Sequence, residues 1–492
     1  MVTIKASYTV VPNQPTPEGY QWLSDPDQVA RQSHTPTIYV YHAKHNHNAL
    51  VEHIRNSLSK ILFYYYPVAG RLRKLEEDGR LELNCNAKGA VLIEAESTKA
   101  VHDYGDFMNE SAKDLVPTVD YTNTPIEELP LLVVQVTSFL GDEAFSIGVA
   151  ISHTLTDGAA AIQFINSWAK LARGHTLEPH EMPFLDRTVL KFTAPPSPPR
   201  FDHQEFKPLP LILGRSDTTL EKSKRVSAMT LKLTAEQVGK LKNKANADKS
   251  TEGSRPYSRF EAIGAHVWRC ASKARGLDEN QPTLLRFNAD IRNRVIPPLP
   301  RNYFGNALVL KTASSRAGEI LSTSLGHAAQ KIREAVEELT YEYIKSQDRL
   351  IPQAVKGAFP HGVQRCRLGV PQLKQNTKPL YFILNNFFFQ FDLIRSQDDM
   401  DKARALSFGI NEGKDAVFVG NPNLRITSWL SMPMHGADFG WGKPVYFGLA
   451  GGTVQERALI THDPDGDGSI ILFLHFQMEH IQLFKNYFYT DI

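Results

Sequence analysis

LPLLVVQVTSFLGDEAFSIGVAISHTLTDGAAAIQFINSWAKLARG, residues 129–174, is the stretch from which the fold is read. Up to Ser152 it is rich in β-branched residues and breaks at Gly141-Asp142, which predicts two strands joined by a short turn. From Asp157 to Gly174 apolar residues recur at helical spacing and the run stops at a glycine, which predicts an amphipathic helix. The link between them, Ile151-Ser152-His153-Thr154-Leu155-Thr156-Asp157-Gly158, carries a histidine from a strand end towards a helix start. Gly158 and Ala159–Ala161 let the backbone pack closely there.

The same alternation extends outwards. HNALVEHIRNSLSKILFYY (47–65) has helical spacing, and GRLELNCNAKGAVLIEAE (79–96) alternates around an Asn/Lys/Gly turn and reads as a hairpin. SAMTLKLTAEQVGKLKNKAN (227–246) reads as strand then helix, SRFEAIGAHVWRCASKARGL (258–277) as a helix, and the C-terminal DGSIILFLHFQMEHIQLFKNYF as strand then helix. Between the halves, APPSPPRFDHQEFKPLPL (194–211) holds six prolines and cannot form regular helix or central strand. The expected fold class is therefore α/β, or mixed α+β, in two domains: 1–193, a Pro-rich crossover 194–226, and 227–492.

Composition narrows the function classes. Of 492 residues, 55 are basic and 53 acidic, so no bulk positive field recruits nucleic acid. No apolar run is long enough for a membrane span; YFILNNFFFQF (381–391) is short and carries two asparagines. The N-terminus has no basic region followed by an apolar one, and the three cysteines, Cys85, Cys270 and Cys366, fit neither a disulfide framework nor a zinc site. A cytoplasmic protein with no nucleic-acid or membrane partner is expected.

A His-x-x-x-Asp spacing is weak by itself, since His102-Asp103-Tyr104-Gly105-Asp106 matches it too. That copy lies in a polar segment, whereas His153 sits at a strand-to-helix turn. An imidazole there can take a proton from an attacking hydroxyl or amine. The plainer reading is a buried, hydrogen-bonded histidine at a strand end. A second stretch, Asp438-Phe439-Gly440-Trp441-Gly442-Lys443-Pro444, reads as a rigid loop with structural roles for Asp438 and Trp441. Upstream of it, Thr427 and Trp429 in Thr427-Ser428-Trp429 offer a hydroxyl and an indole N–H to a developing oxyanion, though Trp429 could equally be core.

Together, His153-x-x-x-Asp157-Gly158 and Asp438-Phe439-Gly440-Trp441-Gly442 resemble the plant acyl-CoA-dependent BAHD acyltransferase family. Further similar stretches are His34–Thr37, Tyr65–Leu72, Phe260–Arg269 and Pro300–Asn306. The resemblance implies two chloramphenicol-acetyltransferase-like domains, each a mixed sheet flanked by helices, with a channel between them. It implies acyl-CoA as co-substrate, no permanently bound cofactor and no metal. His153 would be the base, and Asp157 a structural carboxylate pairing with an arginine, for which Arg292 is the candidate. Ser254 and Arg255, just before the helix beginning near Ser258, are candidates for the CoA phosphates. His34 is a candidate for the acceptor pocket.

Within the family the chain is most similar to spermidine hydroxycinnamoyl transferases, through Thr3–Val10, Pro15–Gly19 and Pro195–Asp202. That implies a hydroxycinnamoyl-CoA donor and a polyamine acceptor, whose pocket needs carboxylates. The alternative is O-acylation of shikimate or quinate; these anions need a cationic handle, for which Arg404 and Arg425 are candidates. A catalytically silent ligand- or partner-binding homologue is the alternative of another class. A condensation domain usually carries two adjacent histidines, and Ser152 takes the first place here. Residues 350–420 are longer and less regular than the family pattern, and GVPQLKQNTKPLYFILNNFFFQFDL (369–393) reads as an insertion that could impair activity. Asp463–Gly468 begins like an EF-hand loop, but Leu474 stands where the bidentate glutamate belongs, so a turn is expected. His42, His45 and His47 read as a solvated loop rather than a metal site.

Overall fold

The computed structural model describes residues 1–76, 79–107, 110–141, 143–192, 201–248, 255–346, 418–450 and 456–492. Most of the 350–420 segment, with Arg404, lies outside these residues, as do Ser254 and Cys366. The first half runs β1 (Val2–Val10), β2 (Gly19–Trp22), α1 (Asp25–Val29), β3 (His34–His42) and α2 (His47–Tyr64). It continues with β4 (Arg71–Lys74), β5 (Leu81–Cys85), β6 (Ala90–Ser97), β7 (Leu132–Ser138), β8 (Ala144–Ser152) and α3 (Gly158–Ala172). The second half runs α4 (Thr219–Ser223), β9 (Val226–Leu233), α5 (Ala235–Asn246), α6 (Arg259–Ala274), β10 (Pro282–Asp290), β11 (Leu308–Arg316), α7 (Ala317–Ser322) and α8 (Leu325–Glu337). It ends with β12 (Leu424–Ser428), β13 (Tyr446–Gly448), β14 (Arg457–His462), β15 (Ile470–Gln477) and α9 (Met478–Thr490).

Two six-stranded mixed sheets result, ordered β1-β6-β7-β8-β3-β13 and β11-β10-β12-β14-β15-β9, with a small sheet β2-β5-β4 beside the first. β7 and β8 are the antiparallel pair expected from residues 129–152. Every residue of both is buried, on both faces of the sheet, including the polar Gln135, Thr137, Ser138, Ser146 and Ser152. α2 and α3 pack on the first sheet, burying Ile54, Leu58, Ile61, Phe164 and Trp168 in its core. α6, α8 and α9 cover the second, around Trp268, Ile332 and Phe484.

Two expectations change. Residues 79–96 form strands, but not a hairpin: β5 pairs with β2 and β4, whereas β6 pairs with β1 and β7. Alternation specifies which face of a strand is buried; it does not choose the neighbour. The first sheet is also not drawn from residues 1–193 alone. Tyr446–Gly448 of β13 add to β3 as its edge strand. In the crossover, Glu205 is buried and held by Lys311 Nζ (3.0 Å) and the Tyr343 hydroxyl (2.8 Å), which pins it to the second half.

Candidate active site

β3 and β8 pair so that His34 faces Ser152, and the chain turns immediately beyond. The His153 N–H donates to the Ser33 carbonyl (2.9 Å), which fixes the turn against the start of β3. Asp157 then caps α3, its Oδ1 accepting from the Ala160 N–H (3.0 Å). Arg292, just past β10, donates Nη1 to Asp157 Oδ2 (2.9 Å) and Nη2 to Oδ1 (3.0 Å). The Ala307 N–H adds a further bond to Oδ2 (2.9 Å). Asp157 is 1 % exposed. Its carboxylate therefore joins the two halves and answers a guanidinium rather than the imidazole.

A second network holds the same turn from behind. The Asn306 amide donates to the His153 carbonyl (2.9 Å) and to Asp27 Oδ1 (2.8 Å). Arg187 donates Nε to Asp27 Oδ2 (3.1 Å) and Nη2 to the Leu155 carbonyl (2.7 Å). All three side chains are buried. The sequence reading missed Asp27 and Arg187. The Ser24–Asp27 capping box was readable, but its carboxylate meets Arg187 only through the fold.

His153 faces a cavity of about 630 Å³, a size that suits a small-molecule ligand. Both halves supply its walls: β3, β8 and the start of α3 on one side, β12, β14 and the first turn of α6 on the other. Burial pushes the His153 pKa below its ordinary value. A bond to its own carbonyl and the charge of Asp157 pull it back up, and Arg425 and Arg31 push it down. The imidazole is thus neutral at neutral pH and able to accept a proton.

β12 presents alternate residues to the two sides. Leu424 and Ile426 enter the second core, while Arg425 and Thr427 line the cavity. Trp429 both belongs to the first core and lines the cavity. A side-chain carbon at Gly158 would lie 2.9 Å from Met432 Cε and 3.6 Å from Trp429 Nε1, so the glycine lets this wall close on α3. His34 also lines the cavity, but its nitrogens are engaged. Nε2 donates to the Pro130 carbonyl (2.9 Å), so Nδ1 accepts from the Tyr121 hydroxyl (2.9 Å). Burial lowers its pKa to about 4.

The cavity is rimmed by cations the sequence reading largely missed: Arg31, Arg259, Arg425 and Arg457. Its carboxylates are already answered, Asp157 and Asp290 by Arg292 and Glu456 by Arg275 (2.5 Å). At the start of α6 it is Ser258, Arg259 and Phe260 that face the cavity. Arg255 is not among its lining residues; its exposed guanidinium leans on Glu261 (3.5 Å).

The Asp438 loop is not part of the cavity wall. Asp438 Oδ1 accepts from the N–H groups of Gly440 (2.8 Å) and Gly442 (2.9 Å), whose φ angles are +114° and +85°. Phe439 is buried against Trp168, Trp441 packs on His53 and Phe145, and Tyr41 donates to the Ala437 carbonyl. The loop docks the C-terminal chain onto the first half. Elsewhere, Asp463–Ser469 forms a turn tied to Lys232. The His45–His47 loop is less solvated than expected: both imidazoles bond Ser138 Oγ (2.8 and 2.6 Å), and His47 also reaches Glu94. Among the described residues no cluster of His, Cys, Asp or Glu is arranged to hold a metal, and no helix is long and apolar enough to cross a membrane.

Comparison with known proteins agrees with this architecture. Residues 1–355 and 401–491 match the model of the Transferase family, so that the match skips the middle of the divergent segment. The chain is 39% identical over its whole length to the whole of hydroxycinnamoyl-CoA:piscidic acid hydroxycinnamoyltransferase of Actaea racemosa. It is 34% identical to shikimate O-hydroxycinnamoyltransferase of Nicotiana tabacum, covering 99% of each chain. It is also 34% identical to a hydroxycinnamoyl-CoA:5-hydroxyanthranilate N-hydroxycinnamoyltransferase of Avena sativa, covering 98% of each. Vinorine synthase shares the fold, with a TM-score of 0.65 at 20% identity over 98% of this chain and 96% of that one. A F. graminearum protein in complex with coenzyme A and T-2 mycotoxin shares it too, with a TM-score of 0.69 at 15% identity over 95% and 97%. The chain belongs to the Transferase family, the acyl-CoA-dependent BAHD acyltransferases, and its activity is hydroxycinnamoyl-CoA-dependent acyl transfer.

Proposed function

We propose that the chain transfers a hydroxycinnamoyl group from its CoA thioester to the hydroxyl of an acidic small molecule, with His153 as general base. The observation that carries the acceptor class is the cavity wall: Arg31, Arg425 and Arg457 line it together with His153. A polyamine, the acceptor expected from the sequence, would need carboxylates facing it, and those present already pair with arginines outside this trio. The named acceptors of the relatives, piscidic acid, shikimate and 5-hydroxyanthranilate, are acids, which supports the acidic class; the shikimate enzyme is an O-acyltransferase, whereas the hydroxyanthranilate enzyme acylates nitrogen.

In this mechanism neutral His153 takes the acceptor hydroxyl proton as the oxygen attacks the thioester carbonyl. A C–O bond forms, and the oxyanion accepts hydrogen bonds from the Thr427 hydroxyl and the Trp429 indole. The C–S bond breaks, and the departing thiolate takes the proton from imidazolium. Asp157 and Arg292 act on geometry, holding the turn that aims His153. Arg259, at the start of α6, is our candidate for the CoA phosphates.

Purified protein is incubated with a hydroxycinnamoyl-CoA and shikimate, quinate or spermidine, following thiol release and product mass. Ester products on the acids, abolished by His153→Ala, are expected. An amide on spermidine alone overturns the acceptor class, and no turnover by folded, CoA-binding protein indicates a silent homologue. The proposal includes a monomer in the reducing cytosol, consistent with Cys85 and Cys270 as buried free thiols. Sedimentation and a fluorescent fusion test these points.

A further inference from the structure

β12 ends at Ser428, and the chain then leaves the second sheet for the first half. Two bonds from β14 hold the point of departure. The Trp429 N–H donates to the Ile460 carbonyl (2.8 Å), and His462 Nε2 donates to the Leu430 carbonyl (2.7 Å). From Met432 to Asp438 the chain is a strap lying along α3. Met432 covers Gly158 at the start of the helix. Asn166 Nδ2 donates to the Pro433 carbonyl (2.9 Å) in its middle, and Arg173 donates to the Asp438 carbonyl at its end. Between these points Met434 and Ala437 enter the first core.

The two glycines in this contact provide room. Neither has a left-handed φ, unlike Gly440 and Gly442 just downstream. A side-chain carbon at Gly436 would lie 2.6 Å from Asn166 Cγ and Oδ1 and 2.8 Å from Nδ2. The Asn166 amide is thus wedged against the single turn Met434–Gly436, bonded to Pro433 before it and closely packed on Gly436 at its end.

At the near end of the strap stands the Trp429 ring. Its backbone is tied to the second sheet, but its ring belongs to the first core, with Phe447 beside it (ring centroids 5.7 Å apart) and Gly158 below Nε1. The Met432 N–H donates to the Trp429 carbonyl (3.0 Å), so a tight turn links the ring to the strap. Trp429 and Met432 line the cavity; Asn166 is not among its lining residues.

We infer that Asn166 is a positioning residue for acyl transfer: it sets the register of the strap on α3 and so aims the Trp429 indole N–H at the oxyanion. This rests on the oxyanion role given to Trp429 above and adds the group that places it. α3 then serves both sides of the reaction. Its N-cap, Asp157, fixes the turn of His153, and Asn166, about two turns further along, fixes the facing wall. A helix packed into the first core keeps the separation of base and oxyanion donor constant.

The test assays the full chain with a hydroxycinnamoyl-CoA and whichever of shikimate, quinate and spermidine it acylates. Asn166→Asp keeps the shape of the side chain and loses the donated N–H. It is expected to lower kcat about 3- to 10-fold with the KM for acyl-CoA unchanged. Asn166→Gln, which still donates, is expected to recover most of that loss, and Gly436→Ala, which drives a methyl into the amide, to reproduce it. In Trp429→Phe protein, which has no indole N–H, Asn166→Asp is expected to lower kcat no further, whereas a merely structural asparagine would cost as much there as in wild type. Equal losses in the two backgrounds, or no loss on Asn166→Asp, overturn this inference and leave Trp429 its oxyanion role. Undiminished kcat in Trp429→Phe overturns that role and the inference with it, and turnover of none of the three acceptors overturns the proposed function as well.

Discussion

The two carboxylates that mark the family's motifs do opposite things. Asp157 collects bonds from Arg292, Ala307 and Ala160 and so ties the His153 turn of the first half to the second. Asp438 bonds mainly within its own loop, to Gly440 and Gly442, and stands away from the cavity. One is a buried ion pair across a seam beside His153; the other shapes a local turn whose aromatic residues dock on the first core. Two motifs of equal diagnostic value thus differ in kind, and an equal loss of activity from both would break the comparison.

The largest effect is expected next to Asp157. His153→Ala should lower kcat by about 100- to 10,000-fold, with an unchanged melting curve and retained CoA binding. Replacing Asp157 or Arg292 by alanine should cost roughly 3–5 kcal/mol of stability, since it strands a buried charge, and a melting experiment reads this as an early transition. Asp438→Asn should cost only about 1 kcal/mol and leave kcat near wild type. A collapse of activity in a folded Asp438→Asn protein would show that the loop reaches the chemistry after all.

Asn306→Ala sharpens the comparison from behind the turn. It removes the side-chain bonds to the His153 carbonyl and Asp27 and leaves the backbone bond to Asp27 in place, so kcat should fall roughly tenfold while the KM for acyl-CoA holds. The smallest effect is in pH. With His153 as the proposed base, only its neutral form serves, so activity should rise as pH rises through its lowered pKa, with the acidic limb below 6.5. Arg425→Gln removes a charge that lowers this pKa, so the limb should move to higher pH. Stability has its own dependence. Burial holds His34, His266 and His475 near a pKa of about 4. The unfolded chain takes up more protons than the folded one between 6.5 and 4, so the melting temperature should fall as pH drops through that window.

Much of this site was legible before the fold. His153, Asp157 and the Asp438 loop stand in short, local patterns, and Arg292 lies two residues beyond Asp290 at a strand end. Arg31 and Arg457 were not legible, because a lone arginine in a chain with balanced charge looks like any solvated one. Ser254 and Arg255 were chosen for closeness to a helix start. Arg259, one turn further on, faces the cavity because α6 begins at Ser258 with its own capping box.

By itself the sequence determined the elements: the β7–β8 pair, the capped helix after His153, and the strand-helix unit that closes the chain. Each depends on periodicity, capping and turn chemistry within a few residues. The tertiary structure decided what was non-local: that β5 and β6 part company, that β13 crosses to the first sheet, that Asp27 and Asn306 meet behind the His153 turn, and that arginines from separate strands share one wall. Alternating side chains dictate a buried face but not a partner, and a charge acquires its meaning only from the charges that folding brings beside it.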